Sequence, residues 1–168
     1  MENYLKEMLV TLAESGVEFV VGGGVACVLH GVERVTLDLD IAVNMTNENM
    51  SRLILAVGKL GLKPRVPVPL ADLRNPEFVR AMVVEKGALV FSLVDFDKPL
   101  RHLDIFLSPN LSYEKLGERA EAIDIGGVEV RIASKAKLVE LKESIRPRRP
   151  KDVLDLHELA KLIEERPS

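Results

Sequence analysis

The segment Leu37–Val43 reads Leu-Asp-Leu-Asp-Ile-Ala-Val, with apolar and acidic residues alternating through Ile41. That period of two is the signature of a β-strand, whose successive side chains point to opposite faces. Leu37, Leu39 and Ile41 therefore share a face fit to pack against helices, while Asp38 and Asp40 share the other. Two carboxylates held that close repel, and a cation between them relieves the repulsion. Mg²⁺ suits such a pair, because it binds through one or two carboxylates together with substrate phosphates. Taken alone, an Asp-x-Asp on a strand is more often a half-exposed edge facing water.

A second strand pattern, His102–Leu107, repeats the logic. Leu103, Ile105 and Leu107 form one face; His102, Asp104 and Phe106 form the other. If this strand lies beside Leu37–Val43, three aspartates converge, the arrangement required for metal-assisted phosphoryl transfer. A further Asp-x-Asp, Asp95 and Asp97, precedes Lys98-Pro99 between two strand patterns, and turn chemistry accounts for it without a metal.

Upstream, the apolar strand Val17–Val21 runs into Gly22, Gly23 and Gly24, and Val25–His30 has helix-compatible composition. A strand feeding a glycine run and a helix start directs backbone N–H groups at an anion, and glycine allows close approach. The spacing is neither the dinucleotide fingerprint, whose last glycine would fall at Cys27, nor a P-loop. A Rossmann-type oxidoreductase is correspondingly remote.

Elsewhere the pattern predicts a helix over 2–15, a Thr46-capped helix reaching about Leu60, and an irregular Lys63–Asn75 with a short helix after Pro76. Leu89–Phe96 is a strand, and Ala122–Ile125 and Val128–Ile132 pair through Gly126-Gly127. Two helices, Ser134–Ser144 and Lys151–Glu165, close the chain around Arg146–Pro150. The expected fold is α+β: a mixed sheet with helices packed on it and a C-terminal helix pair. Residues 1–168 read as one domain, with its core in 17–132 and the helix pair in about 134–165.

With 23 Lys and Arg against 26 Asp and Glu, the net charge is −3, so the surface as a whole is not built for nucleic acid. Cys27 is the only cysteine, excluding an intramolecular disulfide and a cysteine-based zinc site. No apolar run is long enough for a bilayer, and Glu2 and Glu7 interrupt any secretory leader. The sequence reads as a soluble, cytoplasmic protein with no membrane association.

Gly23-Gly24-Val25-Ala26, Leu29-His30-Gly31, Arg34, Thr36, Asp38 and Asp40 together form a dense signature. It resembles the nucleotidyltransferase superfamily typified by DNA polymerase β, and within it the minimal branch akin to AbiEii-type toxin nucleotidyltransferases. The resemblance is specific over Val20–Val43. It is looser through Leu103-Asp104-Ile105 and the tail residues Lys142, Arg149, Lys151, Asp152 and Asp155.

The resemblance implies transfer of a nucleoside monophosphate from an NTP to a hydroxyl, releasing pyrophosphate. Asp38, Asp40 and Asp104 would be catalytic and would ligate Mg²⁺ or Mn²⁺, with Asp104 also activating the acceptor hydroxyl. Gly23 and Gly24 would cradle the triphosphate, with Arg34 and Thr36 supporting it or bracing the loop. Lys142 and Lys151 would reach phosphates or acceptor. The acceptor stays open among an RNA end such as tRNA, a protein and a small molecule. The resemblance also admits a toxin-like half of a two-protein system with an antitoxin-like partner. Since Ser134 onward makes two helices but no separate acceptor domain, those helices, Lys63–Asn75 or a second protein would bind the acceptor.

Each residue also has a plainer reading. Arg34 and Lys142 are equally well solvated charges, Thr36 a strand residue, and His30 a packed helix-end histidine. Asp152 and Asp155 suit a helix start, and Arg146, Arg148, Arg149 and Lys151 suit a solvated turn more readily than a grip on a polyanion. The alternative to an enzyme is a catalytically silent nucleotide- or partner-binding module on the same fold.

Overall fold

The computed structural model describes Met1 and residues 3–165, so Glu2, the first position of the expected N-terminal helix, and 166–168 lie outside the described residues. Helix α1, Asn3–Glu14, buries Leu5, Met8, Leu9 and Leu12, a stripe at helical spacing. Strand β1, Phe19–Val21, is buried throughout and leads into helix α2, Gly23–Leu29. Strand β2 is Leu39–Val43. Leu37 and Asp38 fall before it, and Leu37 is exposed rather than part of the core face.

Helix α3, Asn47–Lys59, begins where Thr46 accepts a hydrogen bond from the Asn49 amide. The proline-rich stretch after it holds more structure than its composition suggests. It contains a two-residue strand, β3 (Lys63–Pro64), and a 3₁₀ turn, Leu70–Arg74. Helix α4 runs Pro76–Lys86, started by the Asn75 side chain on the Glu77 and Phe78 amides. Strands β4 (Val90–Val94) and β5 (His102–Phe106) flank a turn in which Asp95 accepts from the Asp97 and Lys98 amides. A short helix, α5 (Tyr113–Leu116), precedes the hairpin β6 (Glu121–Ile125) and β7 (Val128–Ile132). Helices α6 (Lys135–Glu143) and α7 (Pro150–Glu165) follow.

Among the described residues the strands form one mixed seven-stranded sheet in the order β3-β4-β5-β2-β1-β7-β6. β2 runs parallel to β5 and β1 parallel to β7, and the other neighbours are antiparallel. On one face Leu39, Ile41, Leu103, Ile105, Phe91 and Leu93 are almost wholly buried, in one core with the apolar stripes of α1 and α3. The other face of the same strands carries Asp40, Asp104 and Ser92. Among the described residues no helix is long and apolar enough to cross a membrane.

Candidate active site

Parallel pairing of β2 with β5 sets Asp40 directly opposite Asp104, and antiparallel pairing of β5 with β4 sets Ser92 opposite Asp104. Residues in register on neighbouring strands present side chains on the same face. The three polar groups therefore sit in a row across the sheet. The Ser92 hydroxyl donates to Asp104 Oδ1 at 2.5 Å, and His102 Nε2 lies 2.8 Å from the same oxygen. His102 Nδ1 faces Asp38 Oδ1 at 3.5 Å, while the Arg65 guanidinium reaches that nitrogen at 3.4 Å. Asp38 is 54% exposed on the approach to β2, so it stands at the rim rather than beside Asp40.

Burial pushes the Asp40 carboxyl up to about 7, and the negative charges of Asp104 and Asp38 push the same way. Lys151 and His102 pull it down only in part. The ionised form of this carboxyl is therefore disfavoured where it stands.

The triple glycine has steric reasons tied to this carboxylate. Gly23 adopts φ +57, and a β-carbon there would stand 3.0 Å from Cγ of Asp40 and closer still to its Oδ2. A β-carbon at Gly24 would press on the Arg34 guanidinium and the Thr36 hydroxyl. One at Gly22 would lie 2.9 Å from the Phe106 ring. The glycine turn is thus packed on three sides by residues of the signature and of β5.

Arg34 and Lys142 belong to a buried ion network. Arg34 Nε lies 2.8 Å from Asp155 Oδ1, and Lys142 Nζ lies 2.8 Å from Asp155 Oδ2 and 3.5 Å from Asp152 Oδ1. Asp152 accepts two hydrogen bonds from the Arg149 guanidinium and one from its amide, which hold its carboxyl down at about 2. Asp152 and Asp155 are fully buried. The network ties α6 and α7 to Arg34 and so to the glycine turn. Lys142, read from sequence as either a solvated or a phosphate-reaching lysine, is turned inward with its charge satisfied by two carboxylates. His30 is packed, its Nε2 against the Ala133 carbonyl at 2.7 Å.

A cavity of about 380 Å³ opens beside Asp40, walled by Gly23, Phe106, Asn110, Lys142 and Arg149 among others. Lys151 is exposed on the first turn of α7 near this corner, close enough to act on the Asp40 charge. The structure thus gathers Gly23, Asp40, Asp104, Lys142 and Lys151 around one corner, with Asp38 at its rim. Gly24, Arg34 and Thr36 form the layer behind. Ser92, Arg65 and His102 also reach this site. Ser92 is the one hydroxyl in the run Val90-Phe91-Ser92-Leu93-Val94, a signal that gains meaning only once β4 is paired with β5.

Among the described residues no three acidic, imidazole or thiol groups stand close enough to share a metal ion as they are oriented. The chemistry of the donor set nevertheless fits a hard divalent cation. Asp38, Asp40 and Asp104 offer only oxygen, and burial together with the charges of Asp104 and Asp38 makes an ionised Asp40 costly, a cost that a cation beside it relieves.

Comparison with solved structures identifies the fold that carries this carboxylate pair and glycine turn. The chain superimposes on a lincosamide antibiotic adenylyltransferase with lincomycin bound, at a TM-score of 0.63 and 15% identity over 96% of this chain and 98% of that one. It superimposes on ANT(2")-Ia in complex with adenylyl-2"-tobramycin, at 0.58 and 16% over 94% and 86% of the two chains. An antigenic nucleotidyltransferase-like protein from Paracoccidioides brasiliensis gives 0.58 and 15% over 99% and 90%. No protein-family profile and no curated protein sequence matches the chain. The chain has the nucleotidyltransferase fold.

Proposed function

We propose that this protein is a nucleotidyltransferase that moves a nucleoside monophosphate from an NTP to a hydroxyl acceptor. The observation that carries the reading is Asp40 beside Asp104 on paired parallel strands, with Asp40 lifted to about 7 by burial and by its neighbours' charges. Carboxyl groups forced together at the mouth of a cavity form a site that needs positive charge from outside.

Asp38, Asp40 and Asp104 would hold Mg²⁺ or Mn²⁺. Bound there, the divalent ion would neutralise charge on the triphosphate. Gly23 and Gly24 admit phosphates close to the main chain, with Lys151 and Arg149 supplying positive charge near them. Arg34, Thr36 and Lys142 act as positioning residues through the ion network and the crowded glycine turn. In the reaction the acceptor oxygen bonds to the α-phosphorus and the bond from that phosphorus to the bridging oxygen breaks. Pyrophosphate leaves, and the hydroxyl proton passes to the Asp104 carboxylate and on to solvent.

The fold neighbours that carry antibiotic ligands support a small-molecule acceptor over a tRNA end or a protein. No structural observation stands behind the toxin-like role or an antitoxin-like partner. The alternative is a catalytically silent nucleotide-binding module on the same fold. Measuring pyrophosphate release from each NTP with candidate hydroxyl acceptors decides between them. Release that depends on a divalent ion and vanishes in Asp104→Asn supports the enzyme. Divalent-dependent NTP binding without release from any acceptor supports the silent module.

A further inference from the structure

Helix α4 is well made at its ends but poorly buried. Asn75 caps its start, Gly87 ends it at φ +63, and yet none of its residues is buried. Its apolar residues Phe78, Val79, Met82 and Val83 only partly meet the core. Apolar cavities lie along both flanks of the helix, about 310 Å³ toward Met45 and Leu107 and about 510 Å³ toward β4.

The larger cavity differs from the smaller in what it touches. Its walls are mainly Val66, Val68, Phe78, Met82 and Val90, and its only charged lining residues are Arg65 and Lys86. Two of its lining residues also belong to the carboxylate site. Ser92 hydrogen-bonds Asp104, and Arg65 hydrogen-bonds the His102 ring that faces Asp104. A volume of this size suits a compact organic ligand, and an apolar lining with a few directed polar groups is the usual makeup of such sites.

We infer that this slot between α4, the 65–68 segment and β4 binds the acceptor. The ligand is a small molecule with an apolar body, a neutral or anionic head toward Arg65 and Lys86, and a hydroxyl directed past Ser92 to Asp104. This rests on the nucleotidyltransferase reading and adds the acceptor's chemistry to it. A polycation is disfavoured, since the only charges in the slot are positive. The hydroxyl oxygen of the bound molecule forms the bond to the α-phosphorus, pyrophosphate departs, and the proton goes to Asp104.

The test uses wild type, Ala81→Trp, which fills the slot without touching the carboxylates, and Lys86→Glu. Each variant is first checked for wild-type thermal unfolding. 8-Anilinonaphthalene-1-sulfonate serves as an anionic apolar probe and N-phenyl-1-naphthylamine as its neutral counterpart. Wild type should bind both, Ala81→Trp should bind both at least 10-fold more weakly, and Lys86→Glu should weaken only the anionic probe. Titration with each NTP in the presence of Mg²⁺ runs in parallel and should be the same in all three. Then 6-(hydroxymethyl)-2-naphthoate is offered as acceptor with each NTP that binds, and nucleotidyl transfer should fall at least 10-fold in Ala81→Trp. Probe binding or transfer unchanged by Ala81→Trp overturns the slot, as does NTP binding with no transfer to the naphthoate by wild type. Failure of wild type to bind any NTP overturns the nucleotidyltransferase reading instead, so the two failures are told apart.

Discussion

The backbone of Gly23 and the carboxylate of Asp40 occupy adjoining space so closely that any β-carbon at position 23 would collide with Asp40 Oδ2. The glycine therefore sets where the carboxylate can stand, quite apart from any direct contact with a phosphate. Gly23 also holds φ +57, a conformation costly to other residues. Gly23→Ala should lower stability by about 1–3 kcal/mol in urea unfolding. It should also weaken divalent-dependent NTP binding, because Asp40 must move. Gly58, with open space around it, is the control: Gly58→Ala on α3 should not weaken binding.

Asp40 makes the unliganded protein sensitive to alkali. An ordinary aspartate titrates at 3.8, whereas here the group titrates at about 7, so between those values the folded state binds the extra proton. Stability is then greatest at the acid end of that window and falls as pH rises through about 7. Without divalent ion, chemical unfolding at pH 5.5 and pH 8 should differ by about 2 kcal/mol, with pH 8 the less stable. In Asp40→Asn that difference should shrink and stability at pH 8 should rise. Adding Mg²⁺ to wild type at pH 8 should recover stability, and adding it to Asp40→Asn should not.

The buried ion network should be unforgiving to single changes. Asp155 lies between Arg34 Nε and Lys142 Nζ at 2.8 Å each, with no exposure. Lys142→Met removes a cation facing two buried carboxylates and should cost about 3–5 kcal/mol. The double variant Lys142→Met/Asp155→Leu should cost less than the sum of its single variants, a coupling that a double-mutant cycle measures. Asp152 adds an acid limb. Its carboxyl is lowered from 3.8 to about 2, so its contribution is complete above the ordinary value and is lost as pH falls through about 2. Arg149→Ala should move the acid-unfolding midpoint upward.

The parts of this site readable from sequence are those written in local periodicity. The alternation around Asp38 and Asp40, and the single carboxylate in His102–Leu107, each named a strand and a face. Their adjacency is a matter of tertiary pairing, and β2 beside β5 supplied it. β2 is shorter than the alternation implies, because Leu37 continues the pattern but lies outside the ladder and is exposed. The prolines of 63–75 concealed a two-residue strand whose pairing with Val94 and Leu93 no local pattern could reveal. Lys142 shows the other limit. It stands at the border of the face that carries Leu138 and Leu141, so only the packing of α6 against α7 decides that this lysine faces Asp152 and Asp155.

The most direct test of the central claim is calorimetric titration of the whole protein with each NTP, with and without Mg²⁺, repeated on Asp40→Asn/Asp104→Asn. The account expects binding of at least one NTP by wild type that requires the divalent ion and falls at least 10-fold in the double variant. NTP binding of equal strength in the double variant, or no binding by wild type with the divalent ion present, would contradict it.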